Sequence, residues 1–322
     1  MLLSCGDALI DFLPVRAADG RDAMAPVVGG SCLNIAVGMA RLGAAAGFVG
    51  GLSTDMFGQM IASHATASGV DLRFAARSGR QTTLAFVRME DGEPRYAFYD
   101  EGSAARSWRH VTGAMPFAGI RAVHVGSTTL VDEAAAAHAM ALAVEARAAG
   151  AGVAFDPNCR PALVTDRAVY RARIADFIAA ADIVRMSDVD FAFLHDDADM
   201  TAVATQWLAA GARLVVVTRG GAGAQAWHRG AGTVAVQAPQ VDVVDTIGAG
   251  DSFQAALLVA LAAMGRIAPP SLAHASADDI HRALTFAAAC AAITCSRPGA
   301  DPPRRAQLPA ALQQLLVRSA GP

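Results

Sequence analysis

Lysine is absent from this sequence of 322 residues, and all 26 basic side chains are arginine. A Schiff-base mechanism and a pyridoxal-phosphate lysine are therefore excluded, as is a Walker-type phosphate loop, which requires Gly-Lys-Ser/Thr. Any phosphate group that the chain handles must meet backbone N–H groups, arginine or a metal ion. An excess of one charge is also lacking, because the formal net charge is -3. Composition thus gives no support for a nucleic-acid partner or for an anionic membrane surface.

The chain also has few cysteines and no long hydrophobic run. Its five cysteines form no C-x-x-C pair, which argues against a zinc site or a disulfide framework and fits a reducing cytoplasm. The longest apolar runs, such as Ala255–Met264, have about half of the roughly 20 residues that a membrane span needs. Asp7 interrupts the apolar N-terminus, which lacks the positive start of a signal peptide. We therefore expect a cytoplasmic protein without a membrane partner.

What the sequence does contain is material for a large core, because hydrophobic residues make up 54% and charged residues 17%. Short apolar runs alternate with longer Ala-rich amphipathic stretches, which is typical of an α/β fold with a mainly parallel sheet and helices on both faces. The pattern predicts strands at 2–5, 46–49, 122–125, 153–156, 183–186 and 214–218. It predicts helices at 33–42, 56–68, 133–149, 202–210, 252–264, 280–294 and 306–318.

Residues 8–28 and 80–101 interrupt this alternation, because their apolar runs have no helices between them. In the second segment, Asp91-Gly92 stands between two alternating aromatic or β-branched runs, which predicts a hairpin. We interpret the two segments as a separate antiparallel β-layer that is inserted into the α/β domain and could cover a cleft as a lid. The alternative is an edge hairpin of the main sheet.

The densest motif is Asp245-Thr246-Ile247-Gly248-Ala249-Gly250-Asp251, at the start of an apolar helix. The small residues 248–250 allow backbone N–H groups to converge at a helix N-terminus, which makes an anion cradle that needs no lysine. An aspartate in the first turn has two possible roles. It either caps the helix, or it accepts a proton from a hydroxyl that attacks a bound phosphoryl group.

Candidate ligand-binding residues lie near the N-terminus. Gly29 and Gly30 precede a helix that carries Asn34, and the two glycines would let the backbone approach a ligand. The alternative there is a plain turn with Ser31 as the helix cap. Asp11 follows the first strand in an apolar context, where a carboxylate needs partners and sugar hydroxyls are suitable ones.

Two further stretches follow predicted strands. Arg160 comes just after the strand at 153–156, at the edge where open α/β sheets bind ligands, so it is a candidate for a phosphate contact or for a surface ion pair. The Gly-rich loop Thr218–Gly223 follows the strand at 214–218. This loop does not match G-x-G-x-x-G, which argues against a dinucleotide-binding oxidoreductase.

Together these motifs resemble those of the ribokinase-like, or PfkB, carbohydrate kinases. The resemblance rests on 245–251, on Gly29-Gly30 with Asn34, on Asp156-Pro157-Asn158-Cys159-Arg160 and on their order along the chain. The segments 50–55 and 83–87 are most similar to those of bacterial fructokinases. The resemblance implies one ribokinase-like domain over residues 1–322, with a β lid inserted from about 8–28 and 80–101.

The resemblance also implies an activity, namely ATP-dependent phosphorylation of a primary hydroxyl of a sugar, with fructose as the leading substrate. The alternatives are a 2-keto-3-deoxygluconate kinase, a ribokinase, a nucleoside kinase or a catalytically silent sugar-binding regulator. In the implied site Asp251 is the base, and the anion hole consists of Gly248, Ala249 and Gly250. The implied sugar ligands are Asp11, Gly29, Gly30, Asn34 and Arg160. The implied nucleotide ligands are Ser187, Asp190, Thr218, Gly220 and Gly223.

The implied cofactors are ATP and Mg²⁺, with potassium as a further candidate. The potassium ligands would be the Asp245 carboxylate and the backbone carbonyls of Ile247, Thr294, Arg297 and Gly299. The implied partners are a small-molecule sugar and, as a candidate, a second copy of the chain that pairs through the β lid.

Two departures from the family pattern matter for these expectations. Ser187-Asp188-Val189-Asp190 stands at the Asn-x-x-Glu motif that the family links to magnesium and phosphate. Asp100 stands where many fructokinase-like and 2-keto-3-deoxygluconate kinases carry an arginine. Because that cation is lost and Asp100 would repel a carboxylate, we expect a neutral ketohexose to be preferred over a sugar acid.

Overall fold

The computed structural model describes residues 1–90 and 93–314. The side chains of these residues are described too, except those of 89–96. The strands are β1 (Leu2–Cys5), β2 (Leu9–Arg16), β3 (Asp22–Gly29), β4 (Ala46–Ser53), β5 (Ala75–Ser78), β6 (Thr83–Glu90), β7 (Glu93–Tyr99), β8 (Ala122–Gly126), β9 (Gly152–Asp156), β10 (Ile183–Ser187), β11 (Leu214–Thr218), β12 (Ala224–His228) and β13 (Gly232–Val236). The helices are α1 (Ser31–Arg41), α2 (Met56–Ala67), α3 (Glu133–Ala148), α4 (Arg167–Ala180), α5 (Asp188–His195), α6 (Met200–Ala210), α7 (Ala249–Ala263), α8 (Pro269–Leu272), α9 (Ala277–Cys295) and α10 (Ala310–Gln314).

The main sheet has nine strands in the order β13-β12-β11-β10-β9-β8-β1-β4-β5. The strands from β11 to β5 in this order are parallel, and β12 and β13 add an antiparallel edge. Alternate strand residues point to opposite faces, so Leu214 and Val216 join the core under α1, α7 and α9, whereas Val215 and Val217 join the core under α3 to α6. The predicted parallel sheet with helices on both faces is confirmed.

A second sheet has the order β3-β2-β6-β7 and does not pair with the main sheet among the described residues. The alternative of an edge hairpin is therefore wrong. The layer is mixed rather than wholly antiparallel, because β2 pairs in parallel with β6. The reason is that β2 and β6 follow the parallel strands β1 and β5, so both leave the main sheet in the same direction. The predicted turn at Asp91-Gly92 lies outside the described residues.

The six predicted strands of the main sheet are all present, and the misses have local causes. The helix that was expected from residue 252 begins at Ala249, because Gly248 adopts a left-handed conformation with φ 74° and starts the helix earlier. Helix α4 was missed because only Tyr170, Ile174, Phe177 and Ile178 are buried on an otherwise polar surface. The helix expected at 306–318 is wrong at its start, where a short turn and Pro309 precede α10, and its end lies beyond the described residues.

Within residues 1–90 and 93–314, no helix combines the length and the apolar character that crossing a membrane would require. The longest described helix is α9, which has 19 residues and carries Asp278 and Asp279 in its first turn.

Candidate active site

Asp251 lies in the first turn of α7 and is 7% exposed. Ser31 Oγ donates to Asp251 Oδ1 at 2.6 Å, and Asn34 Nδ2 donates to Asp251 Oδ2 at 2.9 Å. Asp251 does not cap its own helix, since the N-cap is Gly248 and makes no side-chain cap bond. Burial raises the pKa of the Asp251 carboxyl above its usual value, and the bonds from Ser31 and Asn34 oppose that shift. The capping interpretation is therefore wrong, and the two carboxylate oxygens are held by donors from α1 instead.

Two glycines bring the N-termini of α1 and α7 together. Gly30 is the N-cap of α1 with φ 102°, and a Cβ there would lie 2.8 Å from Ala8 Cα and from the Asp7 carbonyl oxygen. Gly248 is the N-cap of α7, and a Cβ there would lie 2.6 Å from Ala300 Cβ. Neither N-cap residue supplies a side-chain cap. Asp7 satisfies the first turn of α1, because its Oδ1 accepts from the Cys32 N–H and its carbonyl oxygen accepts from the Leu33 N–H. The start of α7 is therefore the candidate anion site.

The cradle of 248–250 lies half-buried at the start of α7. The Ala249 N–H makes a long turn bond of 3.3 Å to the Thr246 carbonyl, and Ser252 N–H donates to the Gly248 carbonyl at 2.8 Å. The helix dipole adds partial positive charge at this end, next to the Asp251 carboxylate. The arrangement combines an anion site with a base and so suits transfer of an anionic group to a hydroxyl.

The N-terminal candidates lie near Asp251. Burial, and then the charge of Asp7, raise the pKa of Asp11 to about 6, while Arg160 opposes this shift and Asp251 adds to it. Asp7, Arg160 and Asp251 therefore lie close enough to Asp11 to influence its charge. A Cβ on Gly29 would overlap Asp11 Oδ2, so the glycine makes room for the carboxylate. The predicted sugar-side residues are thus brought together.

Among the residues that the structure describes, Arg160 has no carboxylate partner, so the surface ion pair that was its alternative role is not formed there. Its Nη1 donates at 3.0 Å to the carbonyl oxygens of Asn158 and Cys159, which fixes the side chain along its own loop. Asn158 has φ 39°, and its N–H donates to Asp156 Oδ1 at 3.0 Å. The loop after β9 therefore holds the guanidinium half-buried at the carboxyl edge of the sheet.

Asp100 is not the isolated negative charge that the sequence suggested. Arg106 Nε donates to Asp100 Oδ2 in an ion pair, and Thr83 Oγ1 and Ser103 Oγ donate to Asp100 Oδ1. The two side chains of the pair are 21% and 14% exposed, for Arg106 and Asp100. Together with Asp7 and Thr128 they line a small cavity of about 20 Å³. Because Arg106 compensates the charge of Asp100, the expected repulsion between Asp100 and a substrate carboxylate does not hold.

The nucleotide-side candidates lie at the carboxyl ends of β10 and β11, where Ser187 pairs with Thr218 across the sheet. Ser187 and Asp190 form a capping box at the start of α5, and Asp190 Oδ1 also accepts from the Cys159 N–H at 2.9 Å. Thr218 Oγ1 accepts from Arg185 Nη2 at 2.7 Å.

The two candidate glycines of the following loop have different surroundings. Gly223 has φ 89°, and a Cβ there would overlap the Val236 carbonyl oxygen, so packing against β13 requires a glycine. Gly220 faces open space, which leaves this part of the loop accessible to a ligand.

The potassium candidates lie on the loop before α7, in the last turn of α9 and on the loop that follows α9. Asp245 Oδ1 accepts from the Ile247 N–H at 2.9 Å, and Oδ2 accepts from the Gly299 N–H at 2.8 Å. The Thr294 carbonyl accepts from the Arg297 N–H at 3.1 Å. One carboxylate therefore holds together the loops that carry the candidate carbonyl ligands. No cluster of three or more His, Cys, Asp or Glu side chains suited to a metal occurs in the described part of the chain.

Sequence reasoning missed several residues of this site. Ser31 was read only as a cap, and Arg185 was not singled out. Asp7 accepts from the Cys32 N–H and from Ser127 Oγ and so ties β1 to α1 and β8. The position of Ser31 directly after a Gly-Gly pair is a usable signal. Arg185 and Asp7 have no local pattern that distinguishes a site residue from a residue of a turn or a core strand.

Known proteins resemble this chain along nearly its whole length. A family model described as pfkB family carbohydrate kinase matches residues 2–307. A fructokinase of Rhizobium leguminosarum bv. trifolii is 38% identical over 263 residues, which cover 81% of this chain and 79% of the relative. Fructokinase-1 of Oryza sativa subsp. japonica is 36% identical over 313 residues, or 94% of each chain. The crystal structure of a fructokinase with bound ATP from Xylella fastidiosa has a TM-score of 0.86 and 31% identity, with 98% of this chain and 96% of that chain covered.

The contact between Gly248 and Ala300 predicts a stability difference between two glycine variants. Gly248 and Gly232 both have φ 74°, but a Cβ on Gly232 would meet nothing within 4 Å. Gly232→Ala should lower the free energy of unfolding by about 1–2 kcal/mol for left-handed strain alone. Gly248→Ala should cost about 1–3 kcal/mol more, because the methyl group overpacks against Ala300. Urea denaturation of both variants measures the difference, and equal losses would contradict the contact.

Proposed function

The chain belongs to the PfkB family of carbohydrate kinases, and from that premise we propose that it transfers the γ-phosphoryl group of ATP to a primary hydroxyl of fructose. The observation that carries this proposal is the buried Asp251 carboxylate beside the N-terminal cradle of α7, held by two donors from α1. The relatives that are named fructokinases favour fructose among the sugars of the family. The intact base and cradle disfavour a silent sugar-binding regulator.

The proposed chemistry starts at Asp251. The carboxylate accepts the proton of the sugar hydroxyl as its oxygen attacks the γ-phosphorus, and the bond from that phosphorus to the bridging oxygen of ADP breaks. Negative charge on the transferring group is stabilised by backbone N–H groups of Gly248, Ala249 and Gly250 and by the helix dipole. Burial excludes water from Asp251 and raises its pKa, which strengthens it as a base at neutral pH.

The sugar side of the proposed site is the cleft that Asp11, Asn34 and Arg160 face. Asp11 and Asn34 supply acceptors and donors for hydroxyls, and Gly29 and Gly30 allow the backbone to approach the ring. Arg160 lies where it can contact the sugar or the γ-phosphate. The charges of Asp100 and Arg106 compensate each other, so this pair offers no free cation to a substrate carboxylate.

The nucleotide side of the proposed site is formed by Ser187, Asp190, Thr218, Gly220 and Gly223. Mg²⁺ would arrive with ATP and neutralise charge on its phosphates. Asp190 already accepts from Ser187 and from the Cys159 N–H. It fits as an acceptor for a metal-bound water rather than as a direct ligand, since Mg²⁺ usually keeps several of its waters.

We further propose that the second sheet is the lid of the sugar site. Strand β2 starts in the core at Leu9 and carries Asp11 into the cleft, and Phe12 stacks on Phe86 with ring centroids 4.6 Å apart. Asp11 is therefore part of the proposed lid, and this proposed sugar ligand moves with the second sheet when the lid closes. Its exposed apolar side chains, such as Val15 and Met24, are a candidate surface for pairing with a second copy.

The first test concerns the base. Asp251→Asn keeps the size of the side chain but cannot accept a proton, so kcat should fall roughly 10²–10⁴-fold while the dissociation constant of ADP changes little. In the wild type, kcat should fall as the pH drops through the raised pKa of Asp251, because the protonated carboxyl no longer accepts a proton. Steady-state kinetics measure both. A near-normal kcat in the variant would remove Asp251 from the mechanism.

The second test concerns the substrate and the Asp100–Arg106 pair. ADP release should be measured against a panel of sugars, sugar acids and nucleosides, and the wild type should show its highest kcat/KM with fructose. Asp100→Asn removes the nearer carboxylate partner of Arg106 and leaves Asp132 at 3.9 Å from its Nη1. The ratio of kcat/KM for 2-keto-3-deoxygluconate to that for fructose should therefore rise roughly tenfold, the value of about one charge-assisted hydrogen bond.

The matched control for that test is the double variant Asp100→Asn/Arg106→Gln, which should lose the gain because the freed cation is removed. A sugar acid that outperforms fructose in the wild type would reverse the assignment of substrate. A gain that persists in the double variant would show that the pair does not set the preference.

The third test concerns potassium, which we propose to bind between the loops that Asp245 joins. Backbone carbonyls suit a large cation, and its charge would reinforce the cradle. Pro303 offers no side-chain oxygen where potassium-activated relatives often have one, so activation should be partial. Initial rates should rise about two- to tenfold in potassium over tetramethylammonium at equal ionic strength. Equal rates in the two salts would rule the site out.

A further inference from the structure

A buried arginine lies beneath the cradle and has no role in the mechanism above. Arg185 is on β10, and its side chain is 4% exposed. Its Nη1 is 2.6 Å from Asp156 Oδ2 at the end of β9, and its Nη2 donates to Thr218 Oγ1 at 2.7 Å at the end of β11. One guanidinium therefore spans the carboxyl ends of three neighbouring parallel strands.

The same guanidinium packs against the start of α7. A Cβ on Gly250 would lie 3.1 Å from Nη1, 3.2 Å from Nη2 and 3.6 Å from Cζ of Arg185, and these are the three atoms nearest to that position. The guanidinium carbon is also 5.6 Å from the centroid of the Phe253 ring on α7. The glycine at 250 thus brings the cradle backbone into direct contact with a buried cation.

The charge balance around Arg185 favours a role beyond folding. Asp156 compensates the cation, yet among the described residues Arg185 Nε has no hydrogen-bond partner although it is buried. A buried ion pair with an unsatisfied donor adds little to the stability of a sheet, since a well-packed pair of apolar side chains in its place often makes the protein equally stable. The positive end of the pair lies against Gly250, where charge would develop on a transferring phosphoryl group.

We propose that Arg185 is a positioning residue for phosphoryl transfer, whose buried positive charge supports the 248–250 cradle from beneath and favours the transition state over the bound substrates. This inference rests on the proposed kinase function. Asp156 and Thr218 fix the guanidinium, and Gly250 is the point at which its charge reaches the cradle. Because Arg185 lies below the backbone, it stabilises the charge that develops during transfer and makes no contact of its own with the sugar.

The test compares neutral and charged replacements. Arg185→Gln removes the charge and should lower kcat about 10²–10³-fold, as loss of one transition-state donor does, with the KM for the sugar changed less than about threefold. Arg185→Lys keeps the charge and should recover kcat to within about tenfold of the wild type. The matched control is Arg213→Gln, which breaks the pair with Asp182 at the opposite ends of β10 and β11 and should leave kcat near the wild-type value.

A second variant keeps the test decisive if Arg185→Gln fails to fold, since it leaves a buried carboxylate unpaired. Asp156→Asn/Arg185→Gln removes the pair as a unit and should show the same loss of kcat. Thermal unfolding of each variant establishes that rates are measured on folded protein. A folded neutral variant that keeps kcat within threefold, or that loses sugar affinity and kcat alike, would overturn the proposal.

A binding readout separates this proposal from the assignment of the substrate. Affinity for ADP with aluminium fluoride, a mimic of the transferring phosphoryl group, should fall about tenfold or more in the neutral variants, while affinity for ADP alone stays within about threefold. If the wild type phosphorylates no sugar of the panel, the proposed function fails, and this measurement still decides the role of Arg185. An equal loss for both ligands would assign Arg185 to nucleotide binding or folding instead.

Discussion

The contact on which the site depends is the pair of hydrogen bonds from Ser31 and Asn34 to Asp251. These residues are 220 and 217 positions away from Asp251 along the chain, and the bonds join the first turns of α1 and α7. They hold a carboxylate ionisable in a place where burial alone would favour its neutral form. They also fix the distance between the sugar-side helix and the helix that presents the cradle.

That contact is possible because both helices start at glycines in the left-handed region. Gly30 and Gly248 turn the chain where a Cβ would strike neighbouring backbone or Ala300, and neither position supplies a side-chain cap. In many helices a Ser, Thr or Asp side chain would satisfy the first-turn N–H groups. Here Ser31 and Asp251 bond to each other, and Asp7 accepts from the first-turn N–H groups of α1, so the start of α7 is the end that is left for an anion.

Buried charges support the carboxyl edge of the main sheet beneath this contact. Asp156 pairs with Arg185, Asp190 holds the Cys159 backbone, and Asp7 links β1 to α1 and to the turn after β8. Each carboxylate is compensated by donors from a different strand or loop, as a low dielectric requires. The result is a hydrogen-bonded polar layer at the carboxyl edge, while the apolar cores lie on either side of the sheet.

The sequence by itself determined the architecture and the central motif. The alternation of apolar runs predicted six of the seven parallel strands and most helices, because burial leaves a period that can be recognised locally. The motif at 245–251 predicted an anion cradle, because small residues before an apolar helix have few other uses. The same periodicity did not predict helix α4, because its four buried residues give too weak a hydrophobic pattern among polar ones.

Only the tertiary structure decided which partner each polar side chain meets. Whether Asp251 caps its helix, whether Asp100 is a free charge and whether Arg185 touches Gly250 depend on contacts between distant segments. The physical reason is that periodicity records which face of an element is buried, whereas a hydrogen bond or an ion pair depends on the register and distance of two elements. Those are set only when the sheets and helices have packed.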